Sequence, residues 1–127
     1  SNDKFLNFGF GGEMTSSGFL NTATGVEGSL ETGYVMMRYG SITGLSTSLN
    51  VLKGKGEIAI IIYKNGQPVE FGNTFAVDSA GTKTDYDVQS KDIVTFEPGD
   101  IISIYVDARG SVSWKDVVTL LEITTEN

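Results

Sequence analysis

A proline–glycine turn between two strand-like segments is the feature that most restricts how this chain can fold. Residues 92–107 read Asp-Ile-Val-Thr-Phe-Glu-Pro-Gly-Asp-Ile-Ile-Ser-Ile-Tyr-Val-Asp. Pro98 sets φ for the first central position of a turn, and Gly99 can adopt the positive φ that a type II turn requires next. We therefore predict that one strand ends at Phe96 and that another, apolar on both faces, begins at Ile101.

Turn signals recur along most of the chain at roughly 8–12-residue spacing, which is typical of an all-β sandwich or barrel. Asn65-Gly66 is a hairpin signal, because a type I′ turn needs positive φ at both of its central residues. We interpret residues 53–56 and 108–115 as loops between strands. No segment has the apolar period of an amphipathic helix. The predicted fold class is all-β, with a single antiparallel β-sandwich.

Composition argues against catalysis and cofactor binding. The chain has neither histidine nor cysteine, so it lacks the commonest general base, the commonest metal ligand and any thiolate. We expect no enzyme activity, no catalytic residue, no cofactor and no metal. The net charge of −7 is opposite in sign to the basic footprint of nucleic-acid-binding proteins and disfavours binding to anionic membranes. We expect no nucleic-acid partner and no membrane insertion.

The first 32 residues differ in composition from the rest of the chain. They combine glycines, small polar residues and four phenylalanines, without a sustained apolar period of a helix or a strand. We divide the chain into an extended N-terminal arm, residues 1–32, and a β-sandwich, residues 33–127. Because several aromatic rings are unusual in a solvated linker, we expect the arm to pack on a neighbouring subunit or on the sandwich; disorder is the alternative. The predicted arm anchors are Phe5, Phe8, Phe10 and Phe19.

Two predicted strands carry apolar side chains on both faces, whereas a monomeric sandwich requires only one apolar face per strand. One face of residues 57–64 carries three isoleucines, and one face of residues 101–107 carries two isoleucines and a valine. The other faces carry further apolar side chains, interspersed in residues 101–107 with Ser103 and Asp107. We interpret the second face as an interface between subunits. The alternative is that the arm or a loop covers it. The predicted interface residues are Ala59, Ile61, Tyr63, Ile101 and Tyr105.

The 108–115 segment contains the best candidate for contact with a ligand or partner. Trp114 lies in it with Arg109, and an exposed tryptophan on a loop is unfavourable unless it binds something. Aromatic rings stack on sugars and anchor protein interfaces. We therefore predict a contact site formed by Trp114, Arg109 and Tyr86. The alternative is that Trp114 caps the open end of the sandwich.

Three motifs, taken in order, resemble a known group of domains. They are residues 33–46 (Gly-Tyr-Val-Met-Met-Arg-Tyr-Gly-Ser-Ile-Thr-Gly-Leu-Ser), residues 62–69 (Ile-Tyr-Lys-Asn-Gly-Gln-Pro-Val) and residues 96–104 (Phe-Glu-Pro-Gly-Asp-Ile-Ile-Ser-Ile). The series resembles the trimeric jelly-roll domains of bacteriophage virion proteins: head fibres, decoration spikes and tail-fibre tips. It is also similar to the tumour-necrosis-factor-like globular ends of bacterial collagen-like surface glycoproteins. The likeness covers about residues 33–124.

The resemblance implies a jelly-roll sandwich that assembles as a homotrimer and has no catalytic centre. It implies a virion structural or accessory protein, decorating a capsid or forming a head fibre or fibre-tip knob, with capsid or fibre subunits as partners. The alternative is an adhesion domain of a phage tail or a bacterial cell surface that binds a host glycan or protein. No collagen-like Gly-X-Y run is present, which disfavours the collagen-linked group.

Overall fold

The computed structural model describes residues 3–126, and residues 1, 2 and 127 of the predicted arm and sandwich lie outside that range. Every regular element within it is a β-strand. The predicted all-β fold with an antiparallel sandwich is confirmed. The strands are β1 (Asp3–Met14), β2 (Gly18–Phe19), β3 (Asn21–Thr22), β4 (Tyr34–Val35), β5 (Gly40–Lys64), β6 (Gln67–Val77), β7 (Gly81–Val88), β8 (Val94–Phe96) and β9 (Ile101–Thr125).

Strands β5 and β9 organise the molecule. Each has 25 residues, and the two pair antiparallel along almost their whole length. The sheet is continuous through them, yet it forms two layers. Layer I contains the first half of β5 and the second half of β9. Its strand order is β3-β1-β9-β5-β7, and β8 also pairs with β5. In layer II the other halves form the order β6-β5-β9, and β2 and β4 pair with β9.

The chain passes between the layers at a corner rich in glycine. Gly54 and Gly110 have φ angles of 96° and 87°, and residues 53–56 stay paired with residues 110–113 through the corner. The two predicted loops are therefore wrong, because both segments are continuous strand. Glycine permits the sharp bend, and pairing across the corner satisfies the backbone hydrogen-bonding groups that a loop would expose to water.

The core lies between the two layers. Thr47 of layer I and Asn73 of layer II are both buried, and the Thr47 hydroxyl donates a hydrogen bond of 2.9 Å to the Asn73 side chain. The Asn73 amide in turn donates to the carbonyl oxygen of Leu45 at 3.1 Å. This polar bridge fixes how the layers face each other, since a buried polar group without a partner is costly. Around it lie buried aliphatic side chains, among them Leu45, Leu49, Ile58, Ile60 and Ile62.

Both predicted turns are confirmed. Asn65 and Gly66 have φ angles of 53° and 77°, as a type I′ turn requires at its two central positions. Gly99 has a φ of 95°, and the Asp100 N–H donates to the Glu97 carbonyl oxygen at 3.1 Å. Strand β8 ends at Phe96 and β9 begins at Ile101, as the sequence predicted.

The predicted arm is extended, but much of it belongs to the sheet. Strand β1 pairs with β9 from Asp3 to Met14, and β2 and β3 pair with β9 and β1. The strands of residues 3–22 therefore belong to the same sheet as those of residues 34–125. The free side of β9 explains this, because its backbone groups need hydrogen-bond partners and the N-terminal residues provide them.

Candidate interaction surface

The outer face of layer I carries several exposed apolar side chains beside its polar ones. Strand pairing places side chains of β1, β7 and β9 on this one face, because residues opposite each other in an antiparallel pair point the same way. Phe5 is 54% exposed, Val118 62%, and Tyr86 and Val88 76% each. We call this set the apolar band: Phe5, Tyr86, Val88, Val118 and the half-buried Leu120.

Small residues of β5 make a hollow in the middle of the band. Gly44 pairs with Val88 and Ser46 with Tyr86 on one side, and Ser46 pairs with Leu120 on the other. Because glycine has no side chain and serine a short one, the larger neighbours stand above them. The resulting groove has a volume of about 200 Å³. A hollow with apolar sides suits an inserted side chain from another protein surface.

A second apolar cleft opens at one edge of the sandwich, between β1 and residues 34–38. It has a volume of about 250 Å³. Val35 and Met37, at its mouth, are 60% and 87% exposed. Lys4 and Arg38, both exposed, also line the cleft. We call this cleft the socket. Its other lining residues include Phe5, Leu6, Met36 and Ile123.

Phe5 joins the two apolar regions. Its ring lines both the groove of the band and the socket. The exposed apolar surface therefore continues from the outer face of layer I onto the edge of the sandwich. Contiguous apolar patches of this kind mark sites of protein–protein contact, whereas single exposed apolar residues are ordinary.

The residues predicted as the subunit interface lie on the outer face of layer II, and all five are half-buried. The chain itself covers part of this face. Phe19 of β2 packs on Tyr105 and Tyr63, with ring centroids 4.9 Å and 5.6 Å away. Gly28 lies against Ser103, which is only 1% exposed. The N-terminal segment therefore covers the part of the face around Tyr63, Ser103 and Tyr105, as in the alternative given above. The predicted interface residues are Ala59, Ile61, Tyr63, Ile101 and Tyr105.

The predicted contact site of Trp114, Arg109 and Tyr86 is not brought together. Trp114 is 0% exposed and lies in the core, so its assignment to a surface contact is wrong. The reason is that residues 108–115 form part of β9, which turns the indole towards Val51 and Met14 on neighbouring strands. Arg109 is exposed near the corner and pairs with Asp107 at 3.4 Å. Tyr86 lies in the apolar band.

The four predicted arm anchors differ in their surroundings. Phe8 is 4% exposed and packs edge-on against Tyr34, with ring centroids 5.1 Å apart. Phe10 is partly buried against the core, and Phe19 belongs to the tyrosine cluster of layer II. Phe5 is the most exposed of the four. Three of the rings thus pack on their own sandwich, and Phe5 is presented to solvent.

Sequence reasoning missed Val35, Met37 and Val88 as exposed apolar residues. The signal available in the sequence was the alternation of side chains along each strand. It places Tyr86 and Val88 on the same face of β7, and Val118 and Leu120 on the same face of β9. Identifying that face as the outer one required knowledge of strand pairing. No local signal placed residues 34–38 beside β1.

The Pro98-Gly99 turn holds a carboxylate whose role is structural. The Asp100 side chain accepts hydrogen bonds of 2.9 Å from the Glu97 backbone N–H and from the Asn65 side-chain amide. The pKa of Asp100 is lowered, most strongly by the hydrogen bond from the Glu97 N–H and also by the Asn65 amide and the charge of Lys64. Together these outweigh partial burial, which raises the pKa. The turn borders a cleft of about 510 Å³ with a mainly polar lining that is separate from the apolar band.

Acid should weaken this turn through Asp100. Because its pKa is lower in the folded chain, the carboxylate stabilises the fold above its ordinary pKa, and that contribution is lost as the pH falls through the folded value. We expect the wild type to lose more stability than Asp100→Asn between about pH 5 and pH 3. Urea unfolding at each pH measures this. Equal losses of unfolding free energy in both proteins would contradict the stabilising role of the Asp100 carboxylate.

Two further observations concern residues 3–126. No group of three or more His, Cys, Asp or Glu side chains in this range is arranged to hold a metal ion. The same range contains no helix that is long and apolar enough to cross a membrane. Comparison of the chain with family models and with curated proteins gives no match.

Proposed function

We propose that this chain is a non-enzymatic structural module that assembles as a homotrimer through the apolar band. The exposed apolar side chains of layer I are the observation that carries the proposal. They stand on strands of a hydrogen-bonded sheet, so little conformational entropy would be lost when they are covered. Covering them removes apolar area from water, which contributes roughly 25 cal/mol per Å².

Charge also favours apolar contacts as the basis of assembly. Each copy has a net charge of −7, so copies repel each other at long range. Burial of apolar surface can offset this repulsion, and salt should reduce the repulsion by screening it. The five side chains of the band are uncharged. Glu122 and Asp87 also line the groove, and the Glu122 carboxylate accepts a hydrogen bond of 2.8 Å from the Thr43 hydroxyl.

The resemblance described above extends the proposal to the biological setting. It supports a jelly-roll type of sandwich and a place in a bacteriophage virion, as a capsid-decorating protein, a head fibre or a fibre-tip knob. In such an assembly the rigid sandwich acts as a building block and its surfaces contact capsid or fibre subunits. Immunogold labelling of purified virions tests this setting, and particles that lack the chain would contradict it.

The assembly itself is tested by light scattering on a sizing column over a hundredfold range of concentration. We expect a mass three times the 13.6 kDa of the chain. Val88→Asp should shift the mass towards that of the monomer, because it places a charge in the band groove. Ile93→Asp is the matched control, since Ile93 is 67% exposed and lines neither the groove nor the socket. A wild-type monomer at every concentration, or equal effects of both variants, would overturn the proposal.

A further inference from the structure

The socket is a preformed apolar cleft with two cationic side chains. The backbone of Met36 anchors its wall, because the Met36 N–H donates to the Asp100 carbonyl oxygen at 2.8 Å and its carbonyl accepts from Gly99 at 2.7 Å. Met37 stands at the mouth with a flexible thioether that can adapt to an inserted group. Lys4 and Arg38 add positive charge beside this apolar surface.

A turn elsewhere on the same chain has the complementary chemistry. Residues 26–31 read Val-Glu-Gly-Ser-Leu-Glu. Val26 and Leu30 are 52% and 50% exposed, although both are aliphatic. Each is followed directly by a glutamate, Glu27 and Glu31, and both glutamates are exposed. The turn therefore presents two apolar side chains, each next to a negative charge.

Hydrogen bonds hold this turn in one shape. The Val26 carbonyl accepts from the Thr22 N–H at 2.9 Å, and the Gly28 N–H donates to the Leu20 carbonyl at 3.1 Å. The Ser29 hydroxyl oxygen accepts from the N–H groups of Glu31 and Thr32 at 3.1 Å and 2.9 Å. A turn that is already ordered loses little entropy on binding.

We propose that the socket of one copy binds the 26–31 turn of a second copy. Val26 and Leu30 enter the apolar cleft, and Glu27 and Glu31 pair with Lys4 and Arg38 at its rim. The charge match identifies the occupant, since the cationic socket lies on a chain that is acidic overall and the turn offers apolar side chains flanked by carboxylates. The inference rests on the proposed self-assembly and adds to the apolar band a second contact between copies.

The contact has a consequence for symmetry. A junction that leaves the second turn and the second socket of the pair free is heterologous, and repeated heterologous junctions close into a ring or continue as a filament. A closed ring of three copies is consistent with the homotrimer proposed above. Phe5, which lines both the socket and the band groove, would bring the band next to each junction.

Charge reversal tests the junction. Glu27→Lys with Glu31→Lys should raise the dissociation constant of self-association about tenfold, and so should Lys4→Glu with Arg38→Glu, because each leaves like charges facing each other. The four substitutions together should restore association to within about threefold of the wild type, since the pairs are re-formed with reversed sign. Sedimentation equilibrium measures these constants.

Glu13→Lys with Glu70→Lys is the matched control, because both residues are exposed and the change in net charge is the same as in the turn variant. Relief of general repulsion should make this control associate at least as well as the wild type, whereas the turn variant associates less well. ¹³C-labelled methionine methyls give a second readout. Met36 and Met37 should shift when the protein is concentrated, while Met14, which packs against the core and does not line the socket, should not.

The outcomes separate this inference from the proposed function. The junction is rejected if the wild type is an oligomer, the turn and control variants associate equally well, and the Met36 and Met37 signals do not shift. The apolar band then remains as the assembly surface, and the socket is open to a different partner. A wild-type monomer would reject both. Loss of association in each charge variant, with recovery in the fourfold variant, would support the junction.

Discussion

Replacing Trp114 with alanine should lower the free energy of unfolding by about 3 to 5 kcal/mol, the range for removing a large aromatic ring from a core. Trp114 is 0% exposed and is the largest of the fully buried side chains. Its backbone is fixed on both sides by β1 and β5, so the surrounding strands have little freedom to close the cavity. Urea unfolding followed by circular dichroism measures the loss.

Trp114→Phe is the matched variant. The indole Nε1 has no hydrogen-bond partner among residues 3–126, so phenylalanine removes a buried donor that is not satisfied and breaks no hydrogen bond in that range. We expect it to lose less than about half as much stability as the alanine variant. An equal loss in both variants would mean that the indole nitrogen makes an important contact. A loss below about 1 kcal/mol for alanine would contradict the buried position.

Gly54→Ala should also be strongly destabilising, by about 2 to 5 kcal/mol, because two independent penalties add at this residue. Gly54 has a φ of 96°, a conformation that residues with a side chain rarely adopt. A methyl group there would also overlap the backbone carbonyl of Ser111 on β9. Since that carbonyl belongs to the paired corner, it cannot move without disturbing the β5–β9 ladder.

Alanine substitutions at Gly25 and Gly81 separate the two penalties. Both glycines have positive φ, 85° and 123°, but a methyl group at either would meet no atom within 4 Å. We expect each to lose about 1 to 2 kcal/mol from backbone strain alone, clearly less than Gly54→Ala. If all three variants lose the same amount of stability, the close approach of β5 and β9 at the corner contributes nothing.

Local chemistry made several parts of the fold predictable. Asn65-Gly66 and Pro98-Gly99 specify their turns through the φ values that these residues allow, so both turns and the strand ends at Phe96 and Ile101 follow from a few neighbouring residues. The alternation of side chains along β5 identified Ile58, Ile60 and Ile62 as one face, and these residues are buried.

The corner shows where local chemistry fails. Lys-Gly-Lys-Gly at residues 53–56 and Ala-Arg-Gly-Ser at residues 108–111 have the composition of loops. They are nevertheless strand, because each segment supplies the hydrogen-bond partners of the other from more than fifty positions away in the chain. Trp114 was misplaced for the same reason: its burial depends on the continuity of β9.

The surfaces depend still more on tertiary structure. The sequence by itself determined the all-β class, the positions of the tight turns and which side chains share a face of a strand, because these properties depend on backbone preferences and on alternation over a few residues. Only the tertiary structure decided that the N-terminal segment covers part of layer II, that the apolar band is exposed on the outer face of layer I, and that residues 34–38 form the socket with β1. Which face meets water is set by strand pairing between distant segments, and no local pattern encodes that pairing.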